Sequence, residues 1–251
     1  MGIRERGRLV TAIVLFCAGV FCVVNNTSTE MMMNWSQMAL AKSGSKVVKM
    51  DECGCERLIS VKDNVVTQKH SQNVKDTNVS MSQSLVEIPF ENTTCSVDAY
   101  SRGANQNIVS FTFFESSEEV PKNDHIRGYF VGIHENLKLI NQFYPGYIMR
   151  LYYQAGPEVK AKLCEIACSD PGLDLCPATA IPKLGNASRV YPLLWRFLPA
   201  IDPQVEIFLS RDLDSRVNER EAAAFQQFLE SNAKVGRDRN FESFFIQRQN
   251  S

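Results

Sequence analysis

Between Asn107 and Ala167 the apolar residues change period three times, and this alternation leaves few architectures open. Asn107-Ile108-Val109-Ser110-Phe111-Thr112-Phe113-Phe114 is β-branched and aromatic, the composition of a strand. After a polar loop, Tyr129 to Phe143 carries Ile133, Leu137, Ile140 and Phe143 at helical spacing, and Tyr144-Pro145-Gly146 stops that helix. Tyr147-Ile148-Met149-Arg150-Leu151-Tyr152-Tyr153 is a second strand pattern. Pro157 suits the first turn of a helix running to about Ala167, with Val159, Leu163 and Ile166 on one face. A β-α-β-α order predicts an α/β fold, with a mostly parallel sheet, right-handed crossovers and helices on its faces.

The pattern continues less regularly. Cys168 to Leu184 is rich in Cys, Pro and Asp and is expected to be a loop. Tyr191 to Pro199 suggests a short helix or turn, its Trp195 and Phe197 packing as core rather than as sugar-stacking platforms. Asp202-Pro203 has the composition of a turn. Then Val205-Glu206-Ile207-Phe208-Leu209-Ser210, an apolar run too short for a helix, predicts a buried strand that ends in Arg211-Asp212-Leu213-Asp214-Ser215-Arg216. Asn218 is an expected cap for a last helix, with Glu221 completing a capping box and Ala222, Phe225, Phe228 and Leu229 as its core stripe.

The N-terminal part is organised differently. Arg4, Arg6 and Arg8 precede an uncharged apolar run from Leu9 to Val24. Basic flanks stay cytosolic, so residues 1-8 are expected to be a cytosolic tail and 9-24 a type II signal anchor. A cleaved signal peptide is the alternative, although no Ala-x-Ala site closes the run. Residues 25-106 are polar and without sustained period, and are expected to form a flexible lumenal stem. Either anchor or signal places the body in an oxidising lumen, so the six later cysteines, Cys53, Cys55, Cys95, Cys164, Cys168 and Cys176, are expected to form disulfides. Six cysteines allow fifteen pairings, and their spacing chooses none. Asn34, Asn78, Asn92 and Asn186 are glycosylation candidates; Asn25 and Asn26 also head sequons but lie too near the anchor. A formal net charge of -1 argues against a nucleic-acid partner.

Chemistry concentrates after the Val205–Ser210 run. In an open α/β sheet, ligands bind at the carboxyl ends of strands. Two carboxylates there are costly to bury unless they hold a cation or pair with a base. In extended backbone Asp212 and Asp214 point the same way and can address one divalent metal, Mn²⁺ or Mg²⁺. Arg211 and Arg216 suit bidentate contact with diphosphate oxygens. The alternative is a solvated turn with an Asp212–Arg216 surface pair. Glycine-rich phosphate loops, serine-nucleophile elbows and paired-histidine zinc motifs are not found in the sequence.

Taken together, Ile108-Val109-Ser110-Phe111, Tyr144-Pro145-Gly146-Tyr147, Trp195-Arg196-Phe197, Arg211-Asp212-Leu213-Asp214-Ser215-Arg216 and Glu219-Arg220-Glu221-Ala222-Ala223-Ala224 carry a family resemblance. The span from about Asn107 to Ser231 resembles a little-characterised family of glycosyltransferase-like proteins with the nucleotide-diphospho-sugar transferase (GT-A) fold. The resemblance implies a nucleotide-sugar donor, a divalent metal at Asp212 and Asp214, and diphosphate contacts from Arg196, Arg211 and Arg216. It implies a Golgi or endoplasmic-reticulum type II enzyme with a glycan or protein acceptor. Residues 107-233 are expected to be a GT-A-like nucleotide-sugar-binding half-domain and 234-251 a divergent tail. Such proteins normally continue with a strand and an acceptor-binding half, which Val235-Gly236-Arg237-Asp238-Arg239-Asn240 replaces. The resemblance therefore implies a C-terminally truncated enzyme whose catalytic residue cannot be assigned. The alternative is a non-catalytic lumenal binding or interaction protein of the same fold.

Overall fold

Eight strands and four α-helices make up the regular structure of a computed structural model that describes residues 43–62, 89–115, 123–231, 233–238 and 243–247. In chain order they are β1 (Ser43–Met50), β2 (Cys55–Lys62), α1 (Val97–Tyr100), β3 (Gln106–Phe114), α2 (Asn123–Phe143), β4 (Ile148–Gln154), α3 (Pro157–Ser169), β5 (Leu173–Pro177), β6 (Val205–Ser210), α4 (Glu219–Glu230), β7 (Val235–Asp238) and β8 (Ser243–Gln247). A three-ten helix, Pro192–Ile201, precedes β6. The anchor expected at 9-24, Asn34 and Asn78 lie outside the described residues. Among those described, no helix is long and apolar enough to cross a membrane.

The architecture is α/β, with a six-stranded, mostly parallel sheet in the order β5-β4-β3-β6-β8-β7. β5, β4, β3 and β6 are parallel, and β8 joins β6 antiparallel. From β3 the chain steps outward to β4 and β5, then returns to the other side of β3 to lay down β6. The strand order thus reverses between β3 and β6, and the carboxyl ends of these two strands border the crevice where such sheets take ligands.

Alternation along the strands sorts residues to two faces. Val109, Phe111, Phe113, Leu151 and Leu209 join one core with Ile133, Leu137 and Ile140 of α2, Leu163 and Ile166 of α3, and Phe225 and Phe228 of α4. Each such side chain contributes about 1.5–3 kcal/mol on full burial, which fixes the helices to this face. On the opposite face Tyr152, Cys176 and Trp195 form a second cluster, and Ile108, Val205 and Phe208 a third. The three-ten helix lies over this side, and the Trp195 indole donates to the Ala187 carbonyl at 2.9 Å. Trp195 is therefore core, as expected.

Three regions depart from the sequence reading. The span expected as a flexible stem contains the β1–β2 hairpin, α1 and a buried segment through Thr93, Thr94 and Cys95. A two-stranded hairpin is marginal alone. This one is held by remote cross-links, Cys53–Cys164 and Cys55–Cys168, whose helical halves are four residues apart and so share a face of α3. Cys95–Cys176 ties the start of α1 to β5. Next, Leu173–Pro177, expected as loop, is the edge strand β5; Asp174 in its middle masks the apolar pattern. Finally, the expected divergent tail supplies β7 and β8, so the folded unit extends past residue 233 to Gln247. Phe245 packs on Phe225, their ring centroids 5.1 Å apart. A Cβ on Gly236 would stand 2.7 Å from the Phe228 ring, so this close approach requires glycine.

Buried charges fasten the N-terminal segment to the sheet. Arg57 of β2 pairs with Asp98 of α1 and with Asp174 at 2.8 Å, while Arg102 makes a fork to Asp174 at 2.8–3.0 Å. Arg150 pairs with Asp202 at 2.9 Å, and the same carboxylate accepts from the Thr93 and Thr94 hydroxyls and the Thr94 N–H. Asp202 is thus a fully buried hub, where its sequence context suggested only a turn. Burial alone would raise both carboxyls; Arg102 and Arg57 at Asp174, and Arg150 at Asp202, outweigh it and hold each below the usual carboxylate range. Asp98 goes the other way: burial and the neighbouring Asp174 push it up despite Arg57.

Candidate functional site

The stretch Ser210–Arg216 leaves the sheet at the reversal point. The parallel ladder continues one residue past β6, with the Arg211 N–H donating to the Ser110 carbonyl at 2.9 Å. Alternation continues with it. Leu209 faces the helical core, and Ser210 faces the three-ten helix. Arg211 returns to α4, where it pairs with Glu221; Asp212 faces the three-ten helix again and pairs with Arg196. Neighbouring residues therefore serve opposite faces of the sheet.

The chain turns immediately afterwards, the Ser215 N–H donating to the Asp212 carbonyl at 3.3 Å. Asp212 and Asp214 are therefore not alternate residues of an extended segment, the arrangement in which their shared direction is expected. Asp212 is three-quarters buried against Arg196, and Asp214 is exposed in the turn.

All three arginines are paired with carboxylates, and they differ in exposure, Arg196 at 12% and Arg216 at 33%. Arg211 is 1% exposed and its partner Glu221 is fully buried, so its expected diphosphate contact is replaced by a structural ion pair. Glu221 is thereby diverted from the expected capping box: the Asn218 side chain accepts the Glu221 N–H at 3.1 Å, but the Glu221 carboxylate serves Arg211. Arg216 is also committed, pairing with Glu135 of α2 and donating to the carbonyls of Leu213 and Asp214 at 3.2 and 3.0 Å. The expected Asp212–Arg216 surface pair is thus not formed. Arg196 meets the Asp212 carboxylate from the three-ten helix.

The turn is anchored from below by residues the sequence reading passed over. Buried Asn136 of α2 donates to the carbonyls of Leu213 and Ser215 at 3.4 and 3.1 Å and accepts the Val217 N–H at 3.2 Å. One helical turn earlier, a Cβ on Gly132 would lie 3.0 Å from the Arg216 guanidinium and 3.1 Å from the Leu213 carbonyl. Glycine lets the turn rest on the helix. The available signal was an asparagine, with a glycine four residues before it, on the apolar side of an amphipathic helix.

The crevice side carries orphan polar groups. Ser110, Thr112 and Ser210 have buried hydroxyls without a hydrogen-bond partner among the described residues, as does Arg196 Nε. Ser110 and Ser210 are register partners on the face covered by the three-ten helix. A buried polar group left unpaired costs about 1–3 kcal/mol, and such clusters mark places that water or a ligand's polar atoms complete. Beside them Arg196 lies over the Phe197 ring at 5.6 Å, Phe197 meets Phe244 of β8 edge-on at 5.6 Å, and Arg237 lies over Phe244 at 5.3 Å. Of the described sequons, Asn92 and Asn186 are both exposed.

Two carboxylates are hard oxygen donors and suit Mn²⁺ or Mg²⁺. Such a cation is commonly held by one or two carboxylates when ligand phosphates and water supply the other oxygens. Among the described residues no group of three or more His, Cys, Asp and Glu side chains is gathered. The donor set therefore fits a substrate-bridged cation rather than a closed protein cage. Compared with known proteins, the chain matches no family model, no curated protein and no solved structure.

Proposed function

We propose that this protein is a glycosyltransferase-like protein of the GT-A type, taking a nucleotide-sugar together with Mn²⁺ or Mg²⁺ at the Asp212–Asp214 turn. The observation that carries this reading is the placement of that turn. It leaves β6 at the point where strand order reverses, the crevice in which open α/β sheets take nucleotides.

Asp212 and Asp214 would hold the cation, which when bound neutralises charge on the leaving diphosphate. Arg196 is positioned to contact diphosphate oxygens, and the Phe197–Phe244 ridge with Arg237 offers an apolar and basic rim. Arg211, Arg216, Glu135 and Asn136 hold the turn in place. In this reading residues 9-24 anchor the chain as a type II protein in a Golgi or endoplasmic-reticulum membrane. Three disulfides are in keeping with an oxidising lumen. The acceptor would be a glycan or a protein.

Isothermal titration of the full chain with UDP- and GDP-sugars, with and without Mn²⁺, tests the reading. Metal-dependent binding lost in Asp214→Ala is the expected result. Absence of any such binding, or binding unchanged by Asp214→Ala, would refute it. A transfer assay on the binding-competent protein then separates an enzyme from a sugar-nucleotide-binding protein.

A further inference from the structure

We propose that Arg196 and the divalent cation compete for Asp212, and that the diphosphate of an incoming nucleotide ends the competition by drawing Arg196 onto itself. This rests on the nucleotide-sugar reading and adds an order of events to it.

Asp212 Oδ1 is taken by Arg196 Nη1, in a pair whose side chains are 25% and 12% exposed. A cation approaching Asp212 alone must displace a guanidinium from a partly desolvated carboxylate and then sit beside that positive charge. Asp214, exposed in the turn, offers only a second single carboxylate. The cation by itself therefore has a poor site.

A diphosphate changes both terms. Its oxygens match the planar guanidinium fork, which in this pair is incompletely used because Nε is buried without a partner among the described residues. They also provide the oxygen ligands that two carboxylates lack. Arg196 can make the exchange by moving its side chain alone. Its backbone is held by Trp195, fully buried and bonded to Ala187, and by Phe197 against Phe244. The hydroxyls of Ser110 and Ser210, buried and without a hydrogen-bond partner among the described residues, lie on the same face beneath the three-ten helix.

Binding of cation and nucleotide must then be positively coupled, each raising the affinity of the other by the same factor. Arg196 is a ligand-contacting residue in this scheme. It makes the site respond to the complete ligand and ignore free metal.

Calorimetry on the full chain tests this, with Mn²⁺ alone and Mn²⁺ in saturating UDP or GDP as probes. In the wild type, nucleotide should tighten Mn²⁺ binding by about tenfold or more, within the usual coupling range. Arg196→Gln should tighten Mn²⁺ alone by about fivefold, the scale of one partly exposed ion pair, and shrink the coupling by that factor. Arg196→Lys keeps a charge on Asp212 but loses the fork. It should leave Mn²⁺ alone as weak as in wild type and lower nucleotide affinity and coupling. Wild-type Mn²⁺ affinity in Arg196→Gln, or wild-type coupling in Arg196→Lys, with Mn²⁺-dependent nucleotide binding intact, overturns the exchange and leaves the donor site standing. No Mn²⁺-dependent binding of UDP or GDP to wild type and variants overturns both.

Discussion

Removing the two disulfides that clamp the β1–β2 hairpin to α3 should cost more together than the sum of their separate removals. In the chain-entropy account a cross-link stabilises according to the loop it closes in the unfolded state. With Cys95–Cys176 intact, the Cys53–Cys164 bridge closes a path of roughly fifty residues, worth about 4 kcal/mol. Once it exists, Cys55–Cys168 closes a ring of only about six residues, worth about 2 kcal/mol. Either pair can play the first role, because Cys53 and Cys55 are two residues apart and Cys164 and Cys168 four. Replacing either pair by alanine should therefore cost about 2 kcal/mol, and replacing both about 6 kcal/mol, leaving about 2 kcal/mol of coupling. Urea unfolding of the wild type, both pair variants and the quadruple variant measures all four free energies by linear extrapolation. Additive losses, or a loss near 4 kcal/mol from one pair alone, would refute the redundant-clamp reasoning.

Three other outcomes follow from the buried interactions. Arg211→Met leaves Glu221 buried without its partner and should cost about 3–5 kcal/mol in urea unfolding, while adding Glu221→Leu should recover most of it without loss of nucleotide binding. Loss of binding in that double variant would restore Arg211 to the proposed donor site. Asn136→Leu removes three hydrogen bonds from the Leu213–Val217 turn and should cost at least about 2 kcal/mol. On the nucleotide-sugar reading it should also weaken Mn²⁺-dependent nucleotide binding, and unchanged binding would show that the turn does not need this support. For pH, the depressed Asp174 and Asp202 carboxyls give stability that is present above about pH 4 and lost as pH falls through their folded values. Asp98 has the opposite sign, because its folded value is raised: its contribution is complete below about pH 4 and lost as pH rises through that value. Asp98→Asn should abolish this decline in a stability–pH profile, and a persisting decline would assign it elsewhere.

What could be read from residue order alone was whatever is written locally. The strands at Ile108–Phe114 and Val205–Ser210 and the helices beginning at Pro157 and Glu219 have continuous apolar patterns or caps, and each forms near its expected bounds. The α/β class follows from their alternation. The Asp212–Asp214 stretch stood out for the same reason, as charge placed abruptly at the end of an apolar strand. Elements stabilised from far away in the chain were not legible. The β1–β2 hairpin has a polar, weakly periodic sequence and is held by disulfides 111 and 113 residues distant and by Arg57. β5 carries an aspartate at its centre, which is tolerable only where Arg57 and Arg102 converge on it. The β7–β8 hairpin finds its apolar partners on α4.

The same division runs through the site. The sequence by itself established that two aspartates and two arginines, Arg211 and Arg216, lie at the end of one strand. Only the tertiary structure decided which partner each of them takes inside the fold, because that depends on sheet alternation and on what packs against each face. Arg211 turns to Glu221 and Arg216 to Glu135, whereas Arg196, sixteen residues before Asp212 in the chain, arrives on the three-ten helix to meet it. Charge type is a property of the residue. Whether that charge is spent inside the fold or left for a partner is a property of its neighbours, and long-range packing alone brings those neighbours together.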